Sequence, residues 1–272
     1  MTQAARAIPF IKASACGNDF LLIEELAAKQ VAPQLDLSNF TRRICDRHEG
    51  VGADGVEWMR PHSSAELEIR LINSDGSDAE ISGNGTRCVA AYLCAEFGKE
   101  RITLQTGAGL KTCTFIGKTD ETYEFETDMG EAVVEPELTL DLGIRQIRGV
   151  PVSMGNPHYV AFVSEFEPKW QALAAEEIQN NARFKAGVNV EFAVAGGNNE
   201  LQARFFERGA GETQSSGTGS CASAAAAIAT GRAVSPVTVQ ALGGKQVVRQ
   251  QGSRIYLRGP ARLVCRGEYF VT

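Results

Sequence analysis

Two short turns carry the chemistry that this sequence offers. Ser82-Gly-Asn-Gly85 and Ser216-Gly-Thr-Gly219 each lead into a helix-forming run, at an offset of 134 residues. A Gly-rich turn opening a helix presents unpaired backbone N–H groups at the positive end of the helix dipole, so each turn could hold a carboxylate without Lys or Arg. Taken singly, Ser82 or Ser216 reads as an ordinary N-cap. Taken as a pair, the turns suggest more: two helices aimed at one carboxylate would set side chains 82 and 216 on opposite sides of the carbon that bears it. That is the geometry for inverting a stereocentre with two bases, one removing the α-proton and the other returning a proton to the opposite face. The α-proton of an amino acid is weakly acidic, so without a cofactor the carbanion must be stabilised by preorganised N–H dipoles in a dry site. A thiolate/thiol pair suits the two bases, because Cys titrates near pH ~8.5 and a helix N-terminus lowers that further. Serine hydroxyls do not titrate in that range.

The elements that position these turns come in two copies. Glu66 to Gly85 and Glu200 to Gly219 match at the same offset, pairing Glu66 with Glu200, Leu67 with Leu201, Arg70 with Arg204, Ser82 with Ser216, Gly83 with Gly217 and Gly85 with Gly219. Near the same spacing, Gly17-Asn18 pairs with Gly155-Asn156, Ile102 to Gln105 with Val237 to Gln240, and Gly109 with Gly244. A period of half the chain implies a duplicated domain, and two such copies commonly pack about a pseudo-twofold axis with the turns facing one cleft. After each turn comes a run without a polar face, Arg87 to Phe97 and Ser220 to Thr230, which predicts a buried helix. Short alternating runs around them predict strands at 68–73, 102–105, 110–116, 123–126, 201–207, 237–240, 246–249 and 254–257. The expected fold is α/β (α+β): two pseudo-symmetric domains from an internal duplication, each a curved sheet wrapped around a central buried helix. The expected boundaries are 1–130 with 262–272, and 131–261, since the acidic stretch after Gly130 reads as the crossing and the C-terminal segment as a return to the first domain.

Composition narrows the partner. In 272 residues the formal net charge is -6, and no basic stripe gathers the Lys and Arg residues, which argues against a nucleic acid or an anionic membrane and for a small molecule. No apolar run has the length of a signal sequence or membrane span, so a cytoplasmic location is expected. The seven cysteines are odd in number, scattered and without a CxxC pair, which predicts buried thiols rather than disulfides or zinc. His48, His62 and His158 follow no ligand spacing, and no Lys sits in a pattern for a pyridoxal Schiff base. No metal or organic cofactor is expected.

Several segments together are more specific than any one of them: Gly17-Asn-Asp-Phe20, Arg47-His48 with Gly50-Val-Gly-Ala-Asp54, Asn73-Ser-Asp-Gly-Ser77, Gly83-Asn-Gly-Thr-Arg-Cys88, Ser153-Met-Gly-Asn-Pro-His158, Val188-Asn189 and Glu207-Arg-Gly-Ala-Gly-Glu-Thr213. Through them, over essentially its whole length, the sequence resembles the diaminopimelate epimerases, cofactor-independent amino-acid epimerases. The resemblance implies two similar domains with a cleft between them, a homodimer, a diamino diacid substrate, and a place in lysine and peptidoglycan precursor synthesis. It makes Asn18, Asn73, Asn156, Asn189 and Arg208 ligands of the substrate's polar ends, and assigns Gly83-Asn84 and Gly217-Thr218 to the reacting carboxylate. It gives Glu207 the amino group and His158 a supporting catalytic role, beside the bases at 82 and 216.

Two positions depart from the family pattern. Its catalytic pair is two cysteines, where this chain has Ser82 and Ser216, and it usually has Gln where Gly55 stands. Cys88 and Cys221 lie more than a turn into the predicted helices and Cys16 has no repeat partner, so all three read as core residues. The primary reading is therefore an epimerase slowed by its serines. The alternatives are a homologue that binds substrate without turning it over, and an enzyme of the same fold that isomerises or dehydrates hydroxyproline-type substrates.

Overall fold

The computed structural model describes residues 6–143 and 145–271. Two compact units emerge, Met1–Glu126 with Pro260–Thr272, and Thr127–Gly259. The first crossing falls a few residues before Gly130, and the return begins at Pro260 rather than at 262. Unbroken strands explain both offsets. Thr122–Glu131 runs through the first crossing and Arg254–Val271 through the second, so no loop composition marks either.

In the first unit, Arg6–Ala15 pairs antiparallel with Asn18–Glu24 and with the distal part of Arg254–Val271. Asn18–Glu24 then lies parallel to Gly55–Arg60. A parallel pair needs a crossover, and here it carries two helices, α1 (Glu25–Val31) and α2 (Leu37–Cys45). Gly55–Arg60 is followed by antiparallel Leu67–Asn73, the Ser82 turn and helix α3 (Gly83–Phe97). Arg101–Thr106 returns parallel to Leu67–Asn73 and forms a hairpin with Gly109–Thr119.

The second unit repeats this order. Pro157–Phe162 lies parallel to Asn189–Ala195 across a connection that holds α4 (Pro168–Gln179), and Asn189–Ala195 pairs antiparallel with Glu200–Glu207. The Ser216 turn opens α5 (Gly217–Ala229), and Val237–Ala241 returns parallel to Glu200–Glu207 before its hairpin with Gly244–Gln251. Even an ion pair is duplicated: Arg70 with Asp78, and Arg204 with Glu212, each span the two strands before the turn.

Within each unit the sheet has an inner and an outer face. Around α3 gather Ala13, Phe20, Leu22, Met59, Leu71, Cys88 and Phe125, whereas Val56, Trp58, Leu21 and Ile23 face α1 and α2. The second unit divides likewise, Val152, Ala193, Phe205 and Leu257 around α5, and Val190, Phe192 and Ile178 on the α4 side. The α5 helix is buried continuously from Gly219 to Ala227, and its Ala and Ser side chains let strands approach on every side. No helix among the described residues is long and apolar enough to cross a membrane.

Candidate active site

Both serines are N-caps. Ser82 has extended backbone (φ -118°, ψ 121°), and its Oγ accepts the Gly85 N–H at 3.1 Å. Ser216 repeats this at φ -136° and ψ 128°, its Oγ accepting the Gly219 N–H at 3.2 Å. Each cap satisfies one of the first-turn donors, and the N–H groups of 83–84 and of 217–218 have no place in the helix ladder. The glycines of the turns are not there for left-handed backbone, since none of the four appears among the positive-φ residues. Close approach is the reason at the second glycine of each. A methyl on Gly85 would overlap Oε1 of Glu57, and one on Gly219 would lie 2.9 Å from Oε1 of Glu191 and 2.7 Å from the Phe205 ring.

In the first unit the structure joins Asn18 to Asn84. The Asn84 amide donates to Asn18 Oδ1 at 2.7 Å, and the buried Arg87 guanidinium donates to Asn84 Oδ1. Asn18 is held from behind by Asp54, which accepts its amide at 3.0 Å and the Asp19 N–H at 3.1 Å. Arg47 in turn donates to Asp54 and to Asp19, both at 2.7 Å. Asn73 sits apart from this chain of contacts: its amide donates to Ser77 Oγ at 3.1 Å within its own turn. Where the family pattern has Gln, Gly55 has no room for a side chain, because a Cβ there would be 2.7 Å from the Ile72 carbonyl oxygen.

In the second unit Thr218, Asn156, His158 and Glu191 form one line. Asn156 Nδ2 reaches Thr218 Oγ1 at 3.5 Å, His158 Nε2 lies 3.1 Å from Asn156 Oδ1, and His158 Nδ1 lies 2.7 Å from Glu191 Oε1. His158 and Glu191 have no exposed side-chain surface, and burial pushes the Glu191 carboxyl up against the opposing pull of His158. Asn189 forms a second group: its amide donates to the Pro157 carbonyl at 3.1 Å and its Oδ1 accepts the Arg208 N–H at 3.0 Å. Glu207 is half-buried at the end of its strand, and Arg208 is exposed, with Nη1 2.5 Å from the Ala186 carbonyl oxygen.

Sequence reasoning missed Glu57 and Glu191, both fully buried. They stand at the repeat offset, in Gly55-Val-Glu57 and Asn189-Val-Glu191. No thiol substitutes for the two serines at the turns. Cys88 and Cys221 are fully buried in the helix cores, and burial raises the Cys88 thiol. Cys16 is buried too, its thiol raised by burial although the Arg87 guanidinium, 3.8 Å away, opposes that.

The comparison with known proteins decides the family. The sequence model described as Diaminopimelate epimerase matches residues 10–135 and 150–264. The chain belongs to the diaminopimelate epimerase family. Its relatives include a diaminopimelate epimerase of Pelotomaculum thermopropionicum, 36% identical, covering 96% of this chain and 98% of the relative. Another, from Desulfitobacterium hafniense, is 33% identical over 94% and 96% of the two chains. Among solved structures, a hydroxyproline epimerase from Agrobacterium vitis with bound trans-4-hydroxy-L-proline superposes with TM-score 0.72, covering 99% of this chain and 94% of that one at 16% identity. A Bacillus anthracis phenazine biosynthesis protein of the PhzF family gives 0.71 at 15% identity, over 97% and 99%. At such identities the structures share the fold alone, a sheet-dominated α+β architecture. Membership in the family makes the chain an isomerase that epimerises an amino acid.

Proposed function

We propose that this epimerase inverts the α-carbon of LL-2,6-diaminopimelate to give the meso isomer, in lysine and peptidoglycan precursor synthesis, with Ser82 and Ser216 standing where the two bases act. The observation that carries the reading is the pair of capped turns on a chain that the family model matches over residues 10–135 and 150–264. Each turn leaves two N–H groups for a carboxylate, where helix dipole and hydrogen bonding add. Asn18, Asn73, Asn156, Asn189 and Arg208 bind the substrate's polar ends, Asn84 and Thr218 flank the reacting carboxylate with Gly83 and Gly217, and Glu207 takes the amino group. His158 supports the second turn through Asn156.

Serine limits the rate. A hydroxyl holds its proton far above neutral pH, so little of the base is present at any moment, and general base catalysis is worth roughly 10²- to 10⁴-fold when the pKa matches the task. A second reading, binding without turnover, draws on the same hydroxyls, which are already engaged as caps. The active form is a homodimer, as the family resemblance implies, and sedimentation of the intact chain checks it.

Incubating the protein with LL-diaminopimelate and separating the stereoisomers tests the activity. Slow formation of the meso isomer, accelerated about 100-fold or more in Ser82→Cys/Ser216→Cys, is the expected result. Inversion of 4-hydroxyproline with none of diaminopimelate would reassign the substrate.

A further inference from the structure

Glu57 is a carboxyl with no partner and no solvent. It is fully buried, and among the described residues neither Oε1 nor Oε2 has a hydrogen-bond partner. Its strand turns it inward: Val56 and Trp58 face α1 and α2, while Glu57 and Met59 face α3. There it stops against Gly85, the residue whose N–H caps onto Ser82. Glu191 occupies the matching place in the second unit, against Gly219, but it has His158. The strand registers show why Glu57 does not. His158 pairs with Asn189, two residues before Glu191, and the equivalent partner of Gly55, two residues before Glu57, is Phe20. The register position that holds imidazole in the second half holds Phe20 in the first.

We propose that Glu57 and Glu191 are positioning residues beneath the two Ser-Gly-x-Gly turns, and that Glu57 gates the first. As a neutral acid it leaves the α3 N-terminus to a substrate carboxylate; as a carboxylate it takes those N–H dipoles for itself. The inference rests on the reading that this turn holds a substrate carboxylate. Two anions on one helix N-terminus, one of them fully desolvated, oppose each other with little screening. In the second half the His158 ring stands 2.7 Å from the Glu191 carboxyl and opposes the effect of burial, a partner that Glu57 lacks.

The surroundings of Glu57 favour the neutral form. Burial holds its carboxyl up to about 8. From α3 the ionisable neighbours on this face are Arg87, whose guanidinium is directed to Asn84, Cys16 and the Pro260 carbonyl, and Cys88, whose thiol is raised by burial. Cys16 precedes the neighbouring strand, and that strand contributes Asp19, tied to Lys12 and Arg47, with Phe20 and Leu22 on the inner face. The strand on the other side brings Ile69 and Leu71. Glu25 belongs to α1 on the outer face and is paired with Lys29 and Arg60.

The test is the affinity of the intact protein for LL-diaminopimelate by calorimetry at pH 6, 7, 8 and 9, beside Glu57→Gln, which cannot ionise. Affinity of the parent that falls tenfold or more across this range, with a profile for Glu57→Gln that lacks the fall, is the expected result. Parallel profiles in the two proteins overturn the gating role while leaving the binding turn intact. Absence of binding by either protein at any pH overturns the reading of the turn, and the inference with it. A measurement on the parent alone guards against a misfolded variant: the Glu57 carboxyl carbon, followed by 13C NMR, titrates at higher pH when substrate is bound, because linkage is reciprocal. A midpoint unmoved or lowered by substrate contradicts the proposal.

Discussion

Single atoms decide what the turns tolerate. Gly85→Ala would push a methyl into Glu57 Oε1, whereas a Cβ on Gly83 has nothing nearer than Arg87 Nη1 at 3.9 Å. Urea unfolding is expected to show a loss of about 1–3 kcal/mol or more for Gly85→Ala, as for other overpacked sites, and a change within about 0.5 kcal/mol for Gly83→Ala. Equal effects would mean that Gly85 is not held against the carboxyl. Glu57 also makes stability depend on pH. Its carboxyl is raised from 4.5 to about 8 in the folded chain, so its contribution is most favourable below 4.5 and is lost progressively as pH rises to about 8. Glu57→Gln is therefore expected to gain on the parent between those limits, by at most roughly 1.4 kcal/mol per pH unit, read from urea midpoints at pH 5.5 and 8. A constant difference between the two proteins at both pH values would show that Glu57 ionises normally. Nothing in the type of either Glu announced this role; only the repeat offset could have, and Val56 and Val190 beside them make each look like the polar residue of an ordinary alternating strand.

At the scale of elements, α3 and α5 were legible because a Ser-Gly-x-Gly start and the lack of a polar face signal a buried helix. The sequence placed their starts late, at Arg87 and Ser220, because glycines read as turn, whereas Gly83 and Gly217 are already helical. Four of the missed strands share one cause. Asn18–Glu24, Gly55–Arg60, Pro157–Phe162 and Asn189–Ala195 lie in parallel pairs covered on both faces, so the two-residue alternation disappears into short apolar runs. Helices α1, α2 and α4 were missed as well, although Asp36 caps α2 by accepting the Asn39 N–H and Pro168 opens α4. Close packing on α5 gives a test at this scale. Ala224 is fully buried, and Ala224→Leu is expected to cost about 1–3 kcal/mol in a thermal or urea melt. A variant as stable as the parent would indicate a looser surround than strands packed on small side chains.

For the whole molecule the duplication is the organising fact: the same strand order, ion pair, cap and buried Glu occur in each unit. The pairs of matching segments made the repeat and the family readable, and with them Asn18, Asn84, Asn156 and His158 as neighbours of the turns. Asn73, which bonds within its own turn, shows where a family pattern says nothing of side-chain direction. Under the proposed two-base function, losing either serine stops inversion in both directions, while the remaining half still exchanges the α-proton of one isomer. The most direct test is deuterium uptake at the α-carbon of LL-diaminopimelate in heavy water, followed by NMR for the parent, Ser82→Ala, Ser216→Ala and Ser82→Cys/Ser216→Cys. The account predicts slow uptake by the parent, loss of meso product in each single variant, and uptake faster by about 100-fold or more with both cysteines. No uptake even in the double cysteine variant would contradict it.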